Sequence, residues 1–234
     1  VPEIRIAHPS DQPGAVAAWR ASQAGRGLRP PAARVGRVEE KVTEGLLVVA
    51  VDSDDTDDAV VGMALGEPGR TRDGAGDLEP ELLHLSMVFV VPAWQRQGVG
   101  AALVEALADA AWVQGYRALS VWSASPAFYE ACGFEPSGRI HTLPDGGQAV
   151  QLTAELEAPV RDVVVRSDGI RLGQLLKLAE IVETGSEGKD LLAAGEVEVN
   201  GEVELRRGRQ LVDGDEVRAR DQAVRVLLRA EQTG

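Results

Sequence analysis

Cysteine occurs once in the 234 residues, at Cys132. A lone thiol excludes an internal disulfide and points to a reducing, cytoplasmic setting. Histidine is scarce as well. His8, His84 and His141 lie far apart and, with Cys132, make no zinc-binding spacing, so no metal is expected. No apolar run approaches the ~18 residues that a membrane helix needs, so no membrane partner is expected. The stretch VPEIRIAHPSDQPG lacks a basic segment followed by an apolar one and does not read as a signal peptide. Positive charge is in deficit, with 24 Lys/Arg against 37 Asp/Glu and a net charge of −13. The deficit is uneven. Residues 1–160 hold 12 Lys/Arg and 22 Asp/Glu, whereas residues 161–234 hold 12 and 15. The acidic first part repels phosphate and is a poor general binder of nucleic acid. Such acidity serves solubility and is compatible with a cationic substrate.

What is present is enough for packed cores: 44% of residues are hydrophobic, and the length allows one or two domains. IRIAHP (4–9) reads as a first strand, and 11–44 as helical with a break at GLRPPAA (27–33). LLVVAVD (46–52) and AVVGMALGEP (59–68) read as a hairpin across the charged turn SDDTDD (53–58). A loop at 69–80 precedes a long strand, ELLHLSMVFVVP (81–92). Val99, Leu103 and Leu107 recur every four residues and predict a helix over 98–114. ALSVW (118–122) is strand. SPAFYEACG (125–133) is a short helix capped by Ser125 and stopped by Gly133. RIHTL and QAVQLTAEL flank a turn at PDGG (144–147).

A different pattern starts near residue 159. It predicts helices at 170–185 and 186–195, then an alternating strand pair, EVEVNGEVEL (196–205), folded at Asn200-Gly201. Val197, Val199, Val203 and Leu205 are expected on one face.

The segment AWQRQGVG (93–100) joins the long strand to its helix. Gly98 and Gly100 remove two Cβ atoms where the helix begins. Amides at such a terminus lack helical partners and carry the positive end of the dipole, which suits an anion such as phosphate. Gln95, Arg96 and Gln97 add side-chain donors. No Gly-Lys-Ser/Thr follows, so this is not an NTPase loop, and it is one glycine short of the dinucleotide fingerprint.

Gln95-Arg96-Gln97-Gly98-Val99-Gly100 resembles motif A of the GNAT N-acetyltransferases, with Pro92 ahead and an alanine-rich helix behind. AFYEACGF (127–134) resembles that family's tyrosine-containing segment. The likeness covers roughly 3–156. It implies an α+β fold, a mixed and mostly antiparallel sheet with helices on both faces, over residues 1–157. It also implies acetyl-CoA as co-substrate. Gln95, Arg96, Gln97, Gly98, Val99, Gly100 and Ala101 would hold the pyrophosphate, and the edge Val88, Phe89 and Val90 the pantetheine arm. The connection at 123–125 lacks an Asn that many members place before the tyrosine. That cofactor contact is therefore not expected.

Acetyl transfer needs a neutral amine, so a base helps. In the long strand, Leu83, Leu85, Met87 and Phe89 alternate as a core face, which turns His84 and Ser86 to the opposite side. His84 is the candidate base, Ser86 its partner, and Glu81 the substitute. Tyr129 is the candidate acid for the departing thiolate, the role the resemblance implies. An amide near Val90 is the candidate oxyanion donor. Cys132 reads as structural rather than nucleophilic. The acceptor pocket is expected from residues 20–45 and 137–150, which include Trp19's neighbours Arg20, Arg26 and Arg29 but no legible motif.

Residues 158–169 read as a linker and the strand leading into a second domain at 170–230. That domain resembles the alpha-L RNA-binding domain of the fourth small-subunit ribosomal protein, through its two helices, Val-Asn-Gly (199–201) and Gly-Asp (214–215). The resemblance implies binding of structured RNA or the ribosome. Arg171, Lys177, Lys189, Arg206, Arg207 and Arg209 are the candidate phosphate contacts. No aromatic residue is present there to stack single-stranded bases. The chain is thus expected to be an N-acetyltransferase acting on a primary amine of a small molecule or protein, fused to an RNA-binding module. The alternative is an RNA-binding scaffold that keeps the acetyl-CoA fold as a sensor.

Overall fold

The computed structural model describes residues 1–52, 59–70, 76–143, 146–165 and 169–229. The expected turn at 53–58 and the turn residues 144–145 lie outside the described residues. The chain divides into two compact units between Glu157 and Ala158.

In the first unit the elements run β1 (Glu3–Ile6), α1 (Gln12–Gly25), α2 (Ala32–Glu44), β2 (Leu46–Asp52), β3 (Ala59–Arg70), β4 (Leu78–Val90), α3 (Val99–Val113), β5 (Ala118–Ser123), α4 (Ala127–Glu130), β6 (Glu135–Thr142) and β7 (Gln148–Glu155). They build one seven-stranded sheet in the order β1-β2-β3-β4-β5-β7-β6. The β4–β5 pair is parallel, and the other pairs are antiparallel. Helices cover both faces, as the sequence implies. Val99, Leu103 and Leu107 of α3 pack with Val48, Leu83, Leu85 and Leu119 on one face. Trp19 of α1 and Val38 and Val42 of α2 pack with Val49, Met63 and Leu65 on the other.

Three expectations change here. The loop read at 69–80 is cut from both sides, because β3 runs on to Arg70 and β4 starts at Leu78. The short helix is only α4, and Ser125 does not cap it; its amide donates to Ser123 Oγ at 3.0 Å. The single core face of β4 is also wrong. Leu65 pairs with Met87 but Gly66 pairs with Leu85, so Ser86 is an extra residue in a bulge. A bulge reverses the alternation. Leu83 and Leu85 point to the α3 face, yet beyond Ser86 it is Val88 and Val90 that do so. Met87 and Phe89 turn to the α1–α2 face.

The second unit has its own core. Its elements are β8 (Val160–Val165), β9 (Ile170–Arg171), α5 (Leu172–Leu178), α6 (Gly185–Ala194), β10 (Val197–Val199), β11 (Glu202–Val203), β12 (Gln210–Leu211), β13 (Glu216–Ala219) and β14 (Gln222–Leu228). β8 pairs in parallel with β14 at the edge of a five-stranded sheet, β11-β10-β13-β14-β8, and β9 pairs with β12. The helix expected at 170–185 stops at Leu178, where Glu180 takes a left-handed φ of +57°.

The face predicted for 196–205 is also corrected. Val197 and Val199 are buried, but Val203 and Leu205 are 58% and 61% exposed, while Glu204 is only 4% exposed. A two-residue turn at Asn200-Gly201 pairs 199 with 202, so the odd-numbered inner face of β10 continues on even positions after the turn.

Candidate active site and basic face

The site begins where two strands part. β4 pairs with β5 only over Leu82–His84, although β4 continues to Val90 and β5 to Ser123, which stays paired with β7. The Val91 amide donates to the Val61 carbonyl of β3 at 2.9 Å. By alternation, Phe89 faces β3, and the amides of Val88 and Val90 face the open edge. The Gln95 side-chain amide closes this edge at one end by donating to the Val90 carbonyl at 2.9 Å.

At the mouth of the gap, Gly98 caps α3 with φ +83° and Arg96 also has a positive φ of +59°. The first intrahelical bond runs from Ala102 N to Gly98 O. The amides of Val99, Gly100 and Ala101 therefore precede the helical ladder and are available to an anion. The two glycines serve different ends. A Cβ on Gly98 would meet nothing within 4 Å, so its need is conformational. A Cβ on Gly100 would lie 3.3 Å from the Phe128 ring, so its need is space. That contact seats α4 against the turn. The Gln97 side chain donates to the Ala93 carbonyl at 2.8 Å and braces the same turn.

His84 lies at the fork, on the face of β4 away from α3. Its Nδ1 is 3.1 Å from Ser120 Oγ, on the paired residue of β5. Burial holds its pKa below the usual histidine value, although the nearby Glu67 carboxylate opposes this. Ser86 does not serve His84. Its hydroxyl lies between two acceptors, the Leu65 carbonyl at 3.4 Å and the Glu67 carboxylate, and its one proton can serve either. His84, Ser120, Glu67, Lys41, Trp122 and Gln151 line a cavity of about 230 Å³. Glu67 pairs in register with His84 and is ion-paired to Lys41 of α2. Burial raises the Glu67 pKa, but the hydrogen bonds from Lys41 and Ser86 outweigh it and keep the carboxyl below its usual range. Glu81 is exposed; its carbonyl accepts from the Arg117 amide at 2.7 Å. From the region expected to form the pocket, Lys41 contributes. Arg20 instead turns to Glu39 at 3.8 Å, and Trp19 is core.

Tyr129 is set by its ring. It packs edge-on against Phe128 at 4.9 Å and Phe134 at 5.8 Å. Burial raises the phenol pKa, with a smaller contribution from Cys132, so the group keeps its proton. The Cys132 thiol is likewise pushed up by burial and packs against the α3-side core.

In the second unit, Arg207 is the organising cation. Its side chain lies across α5 and α6 at two glycines. A Cβ on Gly173 would come within 2.5 Å of its Cγ, and one on Gly185 within 2.8 Å of its Nη2. Its carbonyl accepts from the Gly173 amide at 3.0 Å. Lys177 and Lys189 stand one turn beyond those glycines, on the same helix faces, and both are exposed. Arg171 is exposed at the start of α5, next to Arg209, whose carbonyl accepts from Leu172 N at 2.9 Å. Arg206 and Arg209 are less available. Both donate to the buried Glu204 carboxylate, Arg206 at 2.8 Å and Arg209 at 3.1 Å, and these bonds hold Glu204 far below its usual pKa.

A GNAT acetyltransferase domain model matches residues 43–136, and an S4 domain model matches 163–227. The chain thus carries a GNAT acetyltransferase domain followed by an S4 domain. Part of it is 44% identical over 55 residues to the "Probable ribosome maturation protein RlbA" of Bacillus subtilis strain 168, covering 24% of this chain and 78% of that protein. The GNAT family N-acetyltransferase YhbS of Escherichia coli, solved in complex with CoA, superposes with a TM-score of 0.52 at 24% identity, over 66% of this chain and 81% of that one. The ribosomal-protein-S18-alanine N-acetyltransferase of Escherichia coli superposes with a TM-score of 0.50 at 20% identity, over 68% and 96%.

Within the GNAT domain, the sequence reading missed Glu67, Lys41, Ser120 and Trp122. Glu67 was legible only as the last polar residue of an apolar strand, and Ser120 only as a polar residue inside ALSVW. Among the described residues, no group of His, Cys, Asp and Glu gathers as a metal site, and no helix is long and apolar enough to cross a membrane.

The two glycines of the turn give a stability test. Gly98→Val is expected to cost about 1–2 kcal/mol in chemical denaturation, the penalty of a branched side chain in the left-handed region. Gly98→Asn is expected to cost clearly less, because Asn tolerates that region and open space surrounds the position. Equal costs would show that crowding, not φ, decides.

Proposed function

We propose that the GNAT domain transfers acetyl from acetyl-CoA to a primary amine, and that the S4 domain brings it to structured RNA of the ribosome or its precursors. The observation that carries the catalytic reading is the fork between β4 and β5, with the open amides of the α3 start at its mouth and the partly buried His84 at its apex. The amides of Val99, Gly100 and Ala101, with Gln95, Arg96 and Gln97 around them, would hold the pyrophosphate. Local N–H dipoles decide this contact, so the acidity of the domain does not oppose it. The free edge at Val88 and Val90 would pair with the pantetheine arm, whereas the backbone of Phe89 faces β3 and would not. When bound, acetyl-CoA supplies the activated acyl group.

The chain's own residues then handle protons and charge. With Nδ1–H given to Ser120, Nε2 of His84 takes the proton of the acceptor ammonium. The Val90 amide stabilises the developing oxyanion. Tyr129 gives its proton to the departing sulfur. The test is thiol release from acetyl-CoA with a panel of amines. Amine-dependent release is the expected result. Tight CoA binding with no amine stimulating release would favour the sensor reading instead.

The ribosomal part is supported by the S4 match and by the likeness to RlbA, which is named as a probable ribosome maturation protein. The cytoplasm follows from that role. Arg207→Ala is expected to weaken binding to structured RNA across sequences and to lower the salt slope of log K by about 1. Arg206→Ala is expected to change it less, because Glu204 already neutralises that guanidinium. Filter binding at several salt concentrations measures both. Binding that ignores salt would remove the RNA assignment.

A further inference from the structure

The cavity at the fork carries information about the acceptor that the composition hides. Residues 1–160 are strongly acidic, which by itself favours a cationic substrate. The cavity does not continue that surface. Among the described residues, Glu67 is the only carboxylate in its lining, and Lys41 already neutralises it. Arg70 lines the same space and adds a second cation, with its Nη1 donating to the Gly76 carbonyl at 3.2 Å. His84 contributes no charge when neutral. The lining formed by the described residues is therefore net positive inside a net negative domain.

Charge matching then separates classes of amine. A diamine or polyamine would place its second cation against Lys41 and Arg70, with no second carboxylate among the described lining residues to receive it. A simple alkyl amine would compete with Lys41 for Glu67 and leave Lys41 without its counter-ion. An amine with an anionic group on the same small skeleton avoids both costs. Its ammonium takes Glu67, one register position from the His84 imidazole, and its anion takes Lys41 and Arg70. A volume of about 230 Å³ limits the part bound there to a compact group, walled by Trp122 and Gln151.

We infer that the acceptor is a compact zwitterionic amine, such as a free α-amino acid, and that Lys41 and Arg70 are the cations that select its carboxylate. The inference rests on the acetyltransferase reading. The reaction balances as R–NH₃⁺ losing one proton to His84, a C–N bond forming at the acetyl carbon, the C–S bond breaking, and the thiolate taking a proton from Tyr129. A second proton leaves the nitrogen as the amide forms, and His84 and Tyr129 return to their starting states with net release of one proton to solvent.

The test uses the full chain, acetyl-CoA and three matched sets of acceptors: free amino acids, the same amino acids as carboxamides, and the corresponding decarboxylated amines, with a diamine beside them. The expected result is a kcat/KM at least about tenfold higher for the free acid than for its carboxamide, the loss of one charged hydrogen bond. Arg70→Gln is expected to remove most of that preference by raising KM for the free acid more than for the carboxamide. Lys41→Gln, which also releases Glu67 from its ion pair, is expected to change both acceptors but to raise KM for the free acid more. Carboxamides or the diamine reacting faster than free acids would overturn this inference and leave the acetyltransferase reading intact. A loss in both variants that is equal for acids and carboxamides would also overturn it. No acetylation of any amine, with CoA still bound, would overturn both.

Discussion

Replacing His84 by alanine is expected to lower kcat/KM for acetyl transfer by about 10²–10⁴, the usual worth of a positioned base. CoA affinity is expected to stay unchanged, because the proposed pyrophosphate and pantetheine contacts come from Val88–Ala101. The pH dependence separates this role from a structural one. Burial lowers the His84 pKa below its usual value of 6.5. The imidazole is then neutral at pH 7 and becomes protonated only as pH falls through that lowered value. Wild-type kcat/KM should therefore be flat around neutrality and fall on the acid side. The alanine variant should lose that acid limb along with the rate. A variant with a reduced rate and an intact acid limb would mean that another group is the base. A variant with an unchanged rate would mean that solvent suffices. Ser120 is expected to act only through His84, so Ser120→Ala should shift the limb without abolishing it.

Much of this architecture is legible in the sequence, but only where period and punctuation agree. The helix after the glycine turn shows a four-residue repeat, and its start is marked by Gly98. The antiparallel strands around it alternate or run apolar. What failed was parity. At Ser86 one inserted residue swaps the faces of β4, and a bulge has no signature in a run such as LSMVF. At Asn200-Gly201 the hairpin itself is plain, yet its two-residue turn transfers the inner face from odd to even positions. That misplaced Val203 and Leu205 and hid the burial of Glu204. His84 survived the first error only because it precedes the bulge. Ser86 did not, and lost its expected partnership to Ser120, a residue 36 positions away in sequence. Partners that meet across strands, such as Lys41 with Glu67, are set by register, which composition and spacing do not encode. The candidate RNA contacts show the same limit. Six cations look equivalent in sequence, but Glu204 holds two of them while Arg207, Lys177 and Lys189 share one side of α5 and α6.

Tyr129→Phe is expected to reduce kcat by about 10²–10⁴ with little change in KM or in CoA affinity. The substitution removes only the hydroxyl. The ring contacts with Phe128 and Phe134 remain, and so does the seat of Phe128 on Gly100, so the melting temperature should be unchanged. Burial raises the phenol pKa above its usual 10, so the wild-type enzyme keeps this proton through the whole working range. An acid limb cannot come from Tyr129, and any alkaline limb should lie above pH 10 and vanish in the variant. The double variant with His84→Ala provides the decisive comparison. If both groups contribute independently to one rate-limiting transition state, their losses should approach additivity. If the two protons instead move in separate steps, or the two groups act as a unit, the double variant should be little slower than the worse single one. A Tyr129→Phe variant that turns over normally would show that the leaving sulfur is protonated by solvent, and would reduce Tyr129 to packing α4 against the turn.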